Sequence, residues 1–338
     1  MAAKGYTQEE LCARLGCSRR SVVEAFDMET ACAIEFLLDV PAKDLWNIRK
    51  GERRALQAGR RQFNRRFYSQ AAIAWARRFP VRELQAAGHI AAAAGNSHEQ
   101  RYESGFVPRE VMRFMGVASI AGWEKQYAFV QGTLNPHAYS AWVRLGELQV
   151  SRPLADFELD CAAIRKNLAF LRNNAVTYRQ GLRAALLGML RECDVTVLVV
   201  PAFLAGPAPR AACFWKGAAP VLMLTGSRME DSTFMESVYL ALAHILTPER
   251  RHSCIVCADK AVSGNPLADD AALRLAEGLL LTEAEECEII CCGRFEEKRC
   301  IEYFSGVFHV RPGIIVSRLQ GQRKLPAATP LNVFKIAV

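Results

Sequence analysis

The stretch 233–246, TFMESVYLALAHIL, decides how the second half of this chain is read. Its pattern predicts one helix. Thr233 and Glu236 have capping-box spacing, Asp231 and Ser232 offer further acceptors ahead of it, and Pro248 stops the run. Phe234, Met235, Val238, Tyr239, Leu240, Leu242, Ile245 and Leu246 cover almost the whole circumference, so the helix is expected to be buried. His244 is the odd residue. One turn before it, on the same face, stand Leu240 and Ala241.

With the strand-like VLMLTGSR before it (Val221 to Arg228), this helix resembles the core of the ImmA/IrrE-type zinc peptidase domain, whose helix carries H-E-x-x-H before an Ile-Leu pair. Here the motif reads Leu240-Ala241-Leu242-Ala243-His244, so carbon replaces the first His and the Glu, and only the second His remains. Catalytic zinc needs about three protein ligands and an open water position, and the Glu is the base for that water. The later run NPLADDAALRLAEGLLLTEAE predicts a second helix, which in the family supplies the third ligand from an E-A-x-x-FA-x-x-LLIP phrase. Matching Leu275, Ala276, Leu280 and Leu281 puts that ligand on Ala271. Asp270 is adjacent, but one residue turns a side chain about 100° around a helix. The resemblance therefore implies a pseudo-metallopeptidase with no catalytic residue, no metal and no cofactor.

The flanking segments extend the likeness. LRAALLGMLRECDV predicts a helix, VTVLVVPAF a buried strand, and ACFWKG with APVLMLTG two short strands around Gly217. Cys213, Phe214 and Trp215 stand where the family has a substrate-side strand, so a cleft is expected to persist. Cys254 and Cys257 form a lone CxxC, and the flanking Ile255 and Val256 suggest a strand with ordinary thiols. Cys287, Cys291, Cys292 and Cys300 form a second cluster, read as buried free thiols, with a composite four-thiol site as the alternative. The end of the chain, VRPGIIVSRLQGQRKLPAATPLNVFK, is similar to the closing phrase of HigA-like proteins, with Arg311 in place of a His and Ser317 in place of a Gly.

Residues 7 to 45 carry helix-turn-helix punctuation. Thr7 and Glu10 have box spacing, Leu11 and Leu15 share a face, Gly16 marks the turn and Ser18 caps SRRSVVEAF. This wording, continued by METACAIEFLLDVPAKDLWN, resembles the Cro/CI-like (XRE) motif of HigA-type antitoxins. The resemblance makes Gln8, Ser18, Arg19, Arg20 and Ser21 the DNA-facing residues. One departure is that Phe26 runs almost straight into Met28 and Glu29, without the family's basic loop; a structural relic of the motif is the alternative. The Arg-rich stretch from Arg49 to Arg78 is read as a linker helix with a wet face, or as a phosphate tracker. Residues 80 to 185 read as helical throughout, with breaks at Gly88 and Gly116, a cap at Ser119, and His89, His98 and His137 as surface or capping residues. The phrases FMGVAS…W, AWVRLGE and F…IR follow one another as in longer HigA-like proteins.

Bulk properties fit this reading. The chain has 338 residues with a net charge of +8, and a mean hydropathy of +0.02. Residues 1–78 hold fifteen Lys/Arg against nine Asp/Glu, a surplus of six that suggests a polyanion at one end. No apolar run approaches the ~20 residues of a membrane span, and the polar start MAAKGYTQEE does not read as a signal peptide. Twelve cysteines without an export signal read as reduced thiols in a cytoplasm.

The expected fold is mainly α (α+β). A degenerate Cro/CI-like helix-turn-helix domain spans 1–78, a helical connecting region 79–184, and a zincin-like (ImmA/IrrE-type) pseudo-peptidase domain with a small β-sheet 185–338. The expected function is a DNA-binding transcriptional regulator or antitoxin-like protein with an inactive sensor or partner domain. The alternatives are an interaction or ligand-binding pseudoenzyme that does not bind DNA, and a zinc peptidase built on His244. Expected partners are DNA, a cognate toxin or other protein, and a second copy of the chain, with no membrane.

Overall fold

The computed structural model describes residues 6–18, 22, 26–46, 53–92, 97–150, 159–174, 181–193, 195–203, 208–247, 252–257 and 260–338, without the side chains at 46, 53–56 and 98. The protein is mainly helical, with one five-stranded mixed sheet. It divides into two compact units: Met1–Arg152, to which Phe203–Gly206 is also assigned, and Pro153–Ala202 with Pro207–Val338. The 79–184 segment is split between them at residue 152. Among the described residues, no helix is long and apolar enough to cross a membrane.

The described part of the first unit is helical. Helix α1 (Gln8–Leu15) starts at the expected box: the Glu10 N–H donates to Thr7 Oγ1 at 3.1 Å and the Thr7 N–H to Glu10 Oε2 at 2.8 Å. Gly16 ends it at φ +79°, a left-handed turn that a side chain would strain. Helix α2 (Met28–Leu38) is capped by Asp27 and buries Ala31, Cys32, Ile34, Leu37 and Leu38. It precedes the short α3 (Ala42–Trp46).

The Arg-rich stretch is neither one helix nor a linker. Helix α4 (Arg53–Arg65) gives way to a 3₁₀ turn at Arg66–Tyr68, and Ser69 caps α5 (Gln70–Ala76) through the Ala72 N–H. The reason is its apolar face. Phe63, Phe67, Ile73 and Trp75 are buried, and Phe63 and Phe67 each pack 5.6 Å from Phe36 of α2. Arg60 pairs with Glu35 and Arg66 with Glu29, so two of the basic residues serve internal contacts. After α6 (Val81–Ala86) and α7 (His98–Glu103) come α8 (Phe106–Met115), α9 (Ile120–Gln126) and α10 (Pro136–Gln149). Gly116 and Ser119 punctuate them where the sequence predicts. His137, expected at the surface, is buried instead, because Asn135 takes the cap and turns the imidazole onto Trp123, with ring centroids 4.6 Å apart.

In the second unit, α11 (Cys161–Asn174) and α12 (Leu182–Glu192) lead into strands β1 (Thr196–Val200), β2 (Ala211–Lys216) and β3 (Ala219–Thr225). With β4 (Cys254–Cys257) and β5 (Lys260–Val262), the sheet order is β1-β3-β2-β4-β5. β1 runs parallel to β3, and the remaining neighbours are antiparallel. Its apolar run predicts a buried strand, but it lies on the sheet edge and Val199 is exposed. β3, between β1 and β2, is buried along its whole length.

Helix α13 (Asp231–Leu246) packs against this sheet and against α14 (Pro266–Leu280). It begins two residues before Thr233, and the Thr233–Glu236 box does not form: Glu230 is the N-cap, and the Asp231 carboxylate accepts the Ser232 N–H at 2.8 Å. It ends before Pro248, which lies outside the described residues. Helices α15 (Glu283–Cys291), α16 (Lys298–Phe308) and α17 (Pro312–Gly321) follow, and then a 3₁₀ turn at Pro330–Phe334. The last residues run beside the start of α13: Glu230 bridges Ala337, and the Val338 N–H reaches the Met229 carbonyl at 2.9 Å.

Candidate functional site

The DNA-facing residues belong to the first unit. Gln8 is exposed in the first turn of α1, and Ser18 is exposed beyond Gly16. The Val22 N–H reaches the Ser18 carbonyl at 3.2 Å. Arg19, Arg20 and Ser21 lie outside the described residues.

The support beneath α1 was not evident in the sequence. Arg14, in the run CARLG, is buried and donates to the Met115 and Gly116 carbonyls and to Glu147 Oε2 at 3.1 Å. Arg144 donates to the same oxygen at 2.8 Å and Tyr127 OH at 3.2 Å. Burial would push the Glu147 carboxyl up, but Arg14 and Arg144 outweigh it and hold it below the usual carboxylate range. Gly122 allows the approach of α9 to α1, since a Cβ there would meet the Arg14 carbonyl oxygen at 2.3 Å.

The second candidate lies around His244. At the positions where the sequence places a zinc site, Leu240 and Ala241 are buried carbon, Ala271 is half-buried and Asp270 is exposed. His244 itself is 1% exposed. Its Nδ1 lies 2.8 Å from His252 Nε2, and its Nε2 is 3.8 Å from Asp269 Oδ1 with no hydrogen-bond partner. Asp269 also accepts the Ser263 N–H at 3.0 Å. Burial, and then His252, pushes the His244 imidazole down to about 4, so it is neutral near pH 7 and the approach of Asp269 is not an ion pair. Of the two nitrogens, one donates and the other accepts, so His244 Nδ1 is engaged with His252. Among the described residues, no three His, Cys, Asp or Glu side chains are placed to hold a metal ion.

His252 and Asp269 were missed in the sequence, and one of them had a signal. Ala272, Ala276 and Leu280 mark the inner face of α14, and Asp269 precedes Ala272 by three residues on that face. His252 reaches His244 through tertiary structure alone.

Another titratable group lies on α13. Burial pushes the Glu236 carboxyl up to about 7, against the pull of Arg318, Arg210 and Lys335. Eight residues separate it from His244, about 12 Å along the helix, with Leu240 between them. That distance is too long for the two to act on one proton.

A pH test follows from His244. A base whose folded pKa is depressed contributes stability that is complete above its unfolded pKa and lost as pH falls from about 6.5 toward 4, here about 3 kcal/mol. In His244→Leu, chemical unfolding of the second unit should depend less steeply on pH across that window. An unchanged slope would refute the neutral, buried imidazole.

The thiols divide differently from expectation. Cys254 is fully buried, 3.4 Å from Cys213 across β2 and β4, and Cys257 is half-buried. Cys287, Cys291 and Cys292 are exposed, and Cys300 is half-exposed, so this cluster is not buried. Their positions on α15 explain why: Glu286 and Ile289 form its buried face, and Cys287 and Cys291 share the exposed side with Glu283 and Glu288.

No protein family, no curated protein and no solved structure matches this chain.

Proposed function

We propose that the chain is a cytoplasmic, antitoxin-like transcriptional regulator. Its first unit binds DNA through the turn after α1. Its second unit is a peptidase-like fold that works as a sensor or partner domain and not as an enzyme. The observations that support the DNA-binding part are the box-capped helix α1, the left-handed Gly16 that ends it, and the hydrogen bond from the Val22 N–H to the Ser18 carbonyl beyond it. The sequence surplus of positive charge in residues 1–78 supports the same reading. The non-catalytic part is supported by the carbon at Leu240 and Ala241 and by a His244 ring already engaged with His252. The likeness to HigA-type and ImmA/IrrE-type proteins agrees with both parts.

The test is binding of the full chain to DNA from its own upstream region, titrated against salt and competitor DNA. Binding should be specific, and Arg19→Ala with Arg20→Ala should weaken it at least tenfold and flatten its salt slope. Equal, weak binding of both proteins to any DNA would refute it.

One observation favours a second reading, a ligand-binding module that does not use DNA. A groove of about 440 Å³ in the first unit is lined by Phe36, Phe63, Arg60, Arg109 and Arg113, among others. Sequence-blind DNA binding in the same titration would favour this groove.

A further inference from the structure

Among the described residues of the second unit, three thiol pairs lie within sulfur–sulfur reach, and their surroundings separate them. Cys213 and Cys254 are 3.4 Å apart and both fully buried, directly opposite each other on antiparallel strands. No oxidant in solution reaches them in the folded protein. Cys287 and Cys291 are 3.8 Å apart and exposed, but they sit four residues apart inside α15. Side chains at that spacing start from Cβ atoms about 5–6 Å apart, whereas a disulfide needs about 3.5–4.5 Å. Bridging them would require the helix to unwind.

Cys292 and Cys300 differ from both. Their sulfurs are 3.2 Å apart, Cys292 being the exposed C-cap of α15 and Cys300 lying in the first turn of α16. The intervening turn, with Gly293 at φ +68°, leaves the backbone between them free of a continuous helix. We propose that Cys292 and Cys300 form a reversible disulfide, a modification site oxidised by hydroperoxides and reduced by dithiols.

Exposure and hydrogen bonding assign the roles. Cys292 Sγ accepts the Arg294 N–H at 3.4 Å and donates to the Ile289 carbonyl at 2.9 Å, and it is the more exposed of the two sulfurs. Partial burial and the neighbouring Cys292 push the Cys300 thiol up to about 12, which suits it to resolve the bridge rather than to meet the oxidant first. The Cys292 thiolate attacks a peroxide oxygen and the O–O bond breaks. This gives a Cys292 sulfenic acid, and the departing oxygen leaves as water after taking a proton. Cys300 sulfur then attacks Cys292 sulfur, its thiol proton leaves with the sulfenic oxygen as a second water, and the S–S bond forms. Two electrons pass from the two sulfurs to the peroxide. A dithiol reductant returns them by exchange through a mixed disulfide.

The experiment treats the folded full chain with hydrogen peroxide, alkylates the remaining thiols and maps the peptides. A linked Cys292–Cys300 peptide is expected, lighter by about 2 Da than its reduced parts and lost on dithiothreitol treatment. Cys213 and Cys254 should stay reduced until the protein is denatured. In Cys300→Ser, dimedone should label Cys292 as the trapped sulfenic acid; in Cys292→Ser, position 300 should stay unlabelled. Main bridging at Cys287–Cys291, bridges only between separate chains, or no bridge at all in the wild type would overturn the proposal. The wild-type map decides this even if a serine variant fails to fold.

Discussion

Glu147→Ala is expected to destabilise the first unit by about 3–5 kcal/mol, because it leaves two buried guanidinium groups without their shared anion. Arg14 is 3% exposed and Arg144 7%, and Glu147 Oε2 is the one carboxylate oxygen that both reach. Their other hydrogen bonds go to the carbonyls of Phe114, Met115 and Gly116, which cannot neutralise charge. Glu147→Gln keeps an acceptor for one donor but not the charge, so it should be nearly as damaging. Denaturant unfolding followed by tryptophan fluorescence is a direct readout, since Trp75, Trp123 and Trp142 are all buried in this unit. The stability from the ionised carboxylate is present above about pH 4.5 and fades as pH falls through its lowered folded pKa, so wild type and variant should converge in acid. A loss below about 1 kcal/mol would mean that the two arginines relax to solvent and that the pair is weak. Arg14 is fixed two residues before Gly16, so under the DNA-binding function proposed above, loosening it should also cost DNA affinity.

What was legible in the sequence was local. Thr7 with Glu10, Gly16, Ser119 and Gly217 all act within a few residues of themselves, and each sits where the spelling puts it. The apolar circumference of α13 likewise predicts burial correctly, because it needs no knowledge of the partner. What failed depended on distant residues. Nothing in the run CARLG marks Arg14 as buried, because its partner Glu147 lies 133 residues later. His137 reads as a cap until Trp123 stacks on it. At the start of α13 two signals competed: Thr233 and Glu236 spell a box, yet Asp231 leads the helix because Arg311 and the chain end meet it there. At the candidate site, Ala271 and Asp270 came from matching a pattern, whereas the inner face of α14 presents Asp269.

That meeting at Asp231 carries the other large prediction. Asp231→Ala should destabilise the second unit by about 3–5 kcal/mol, through a buried guanidinium that loses its carboxylate and backbone donors that lose their acceptor. Asp231 Oδ2 accepts from Arg311 Nε at 2.6 Å, and both residues are at most 3% exposed. Oδ1 accepts the N–H groups of Ser232 and Ile336, so the same carboxylate holds the helix start and the chain end. Ser317 bonds Ser232 through its hydroxyl at 3.0 Å in the same corner. A double-mutant cycle separates the causes. Arg311→Met alone should cost less than Asp231→Ala, and the double variant should recover a large part of the loss, since no unpaired charge then remains. Hydrogen exchange supplies an independent readout: the Ile336 and Val338 amides should lose protection in Asp231→Ala but not in Arg311→Met. Additive single losses, with Ile336 still protected, would show that the carboxylate holds neither the charge nor the chain end.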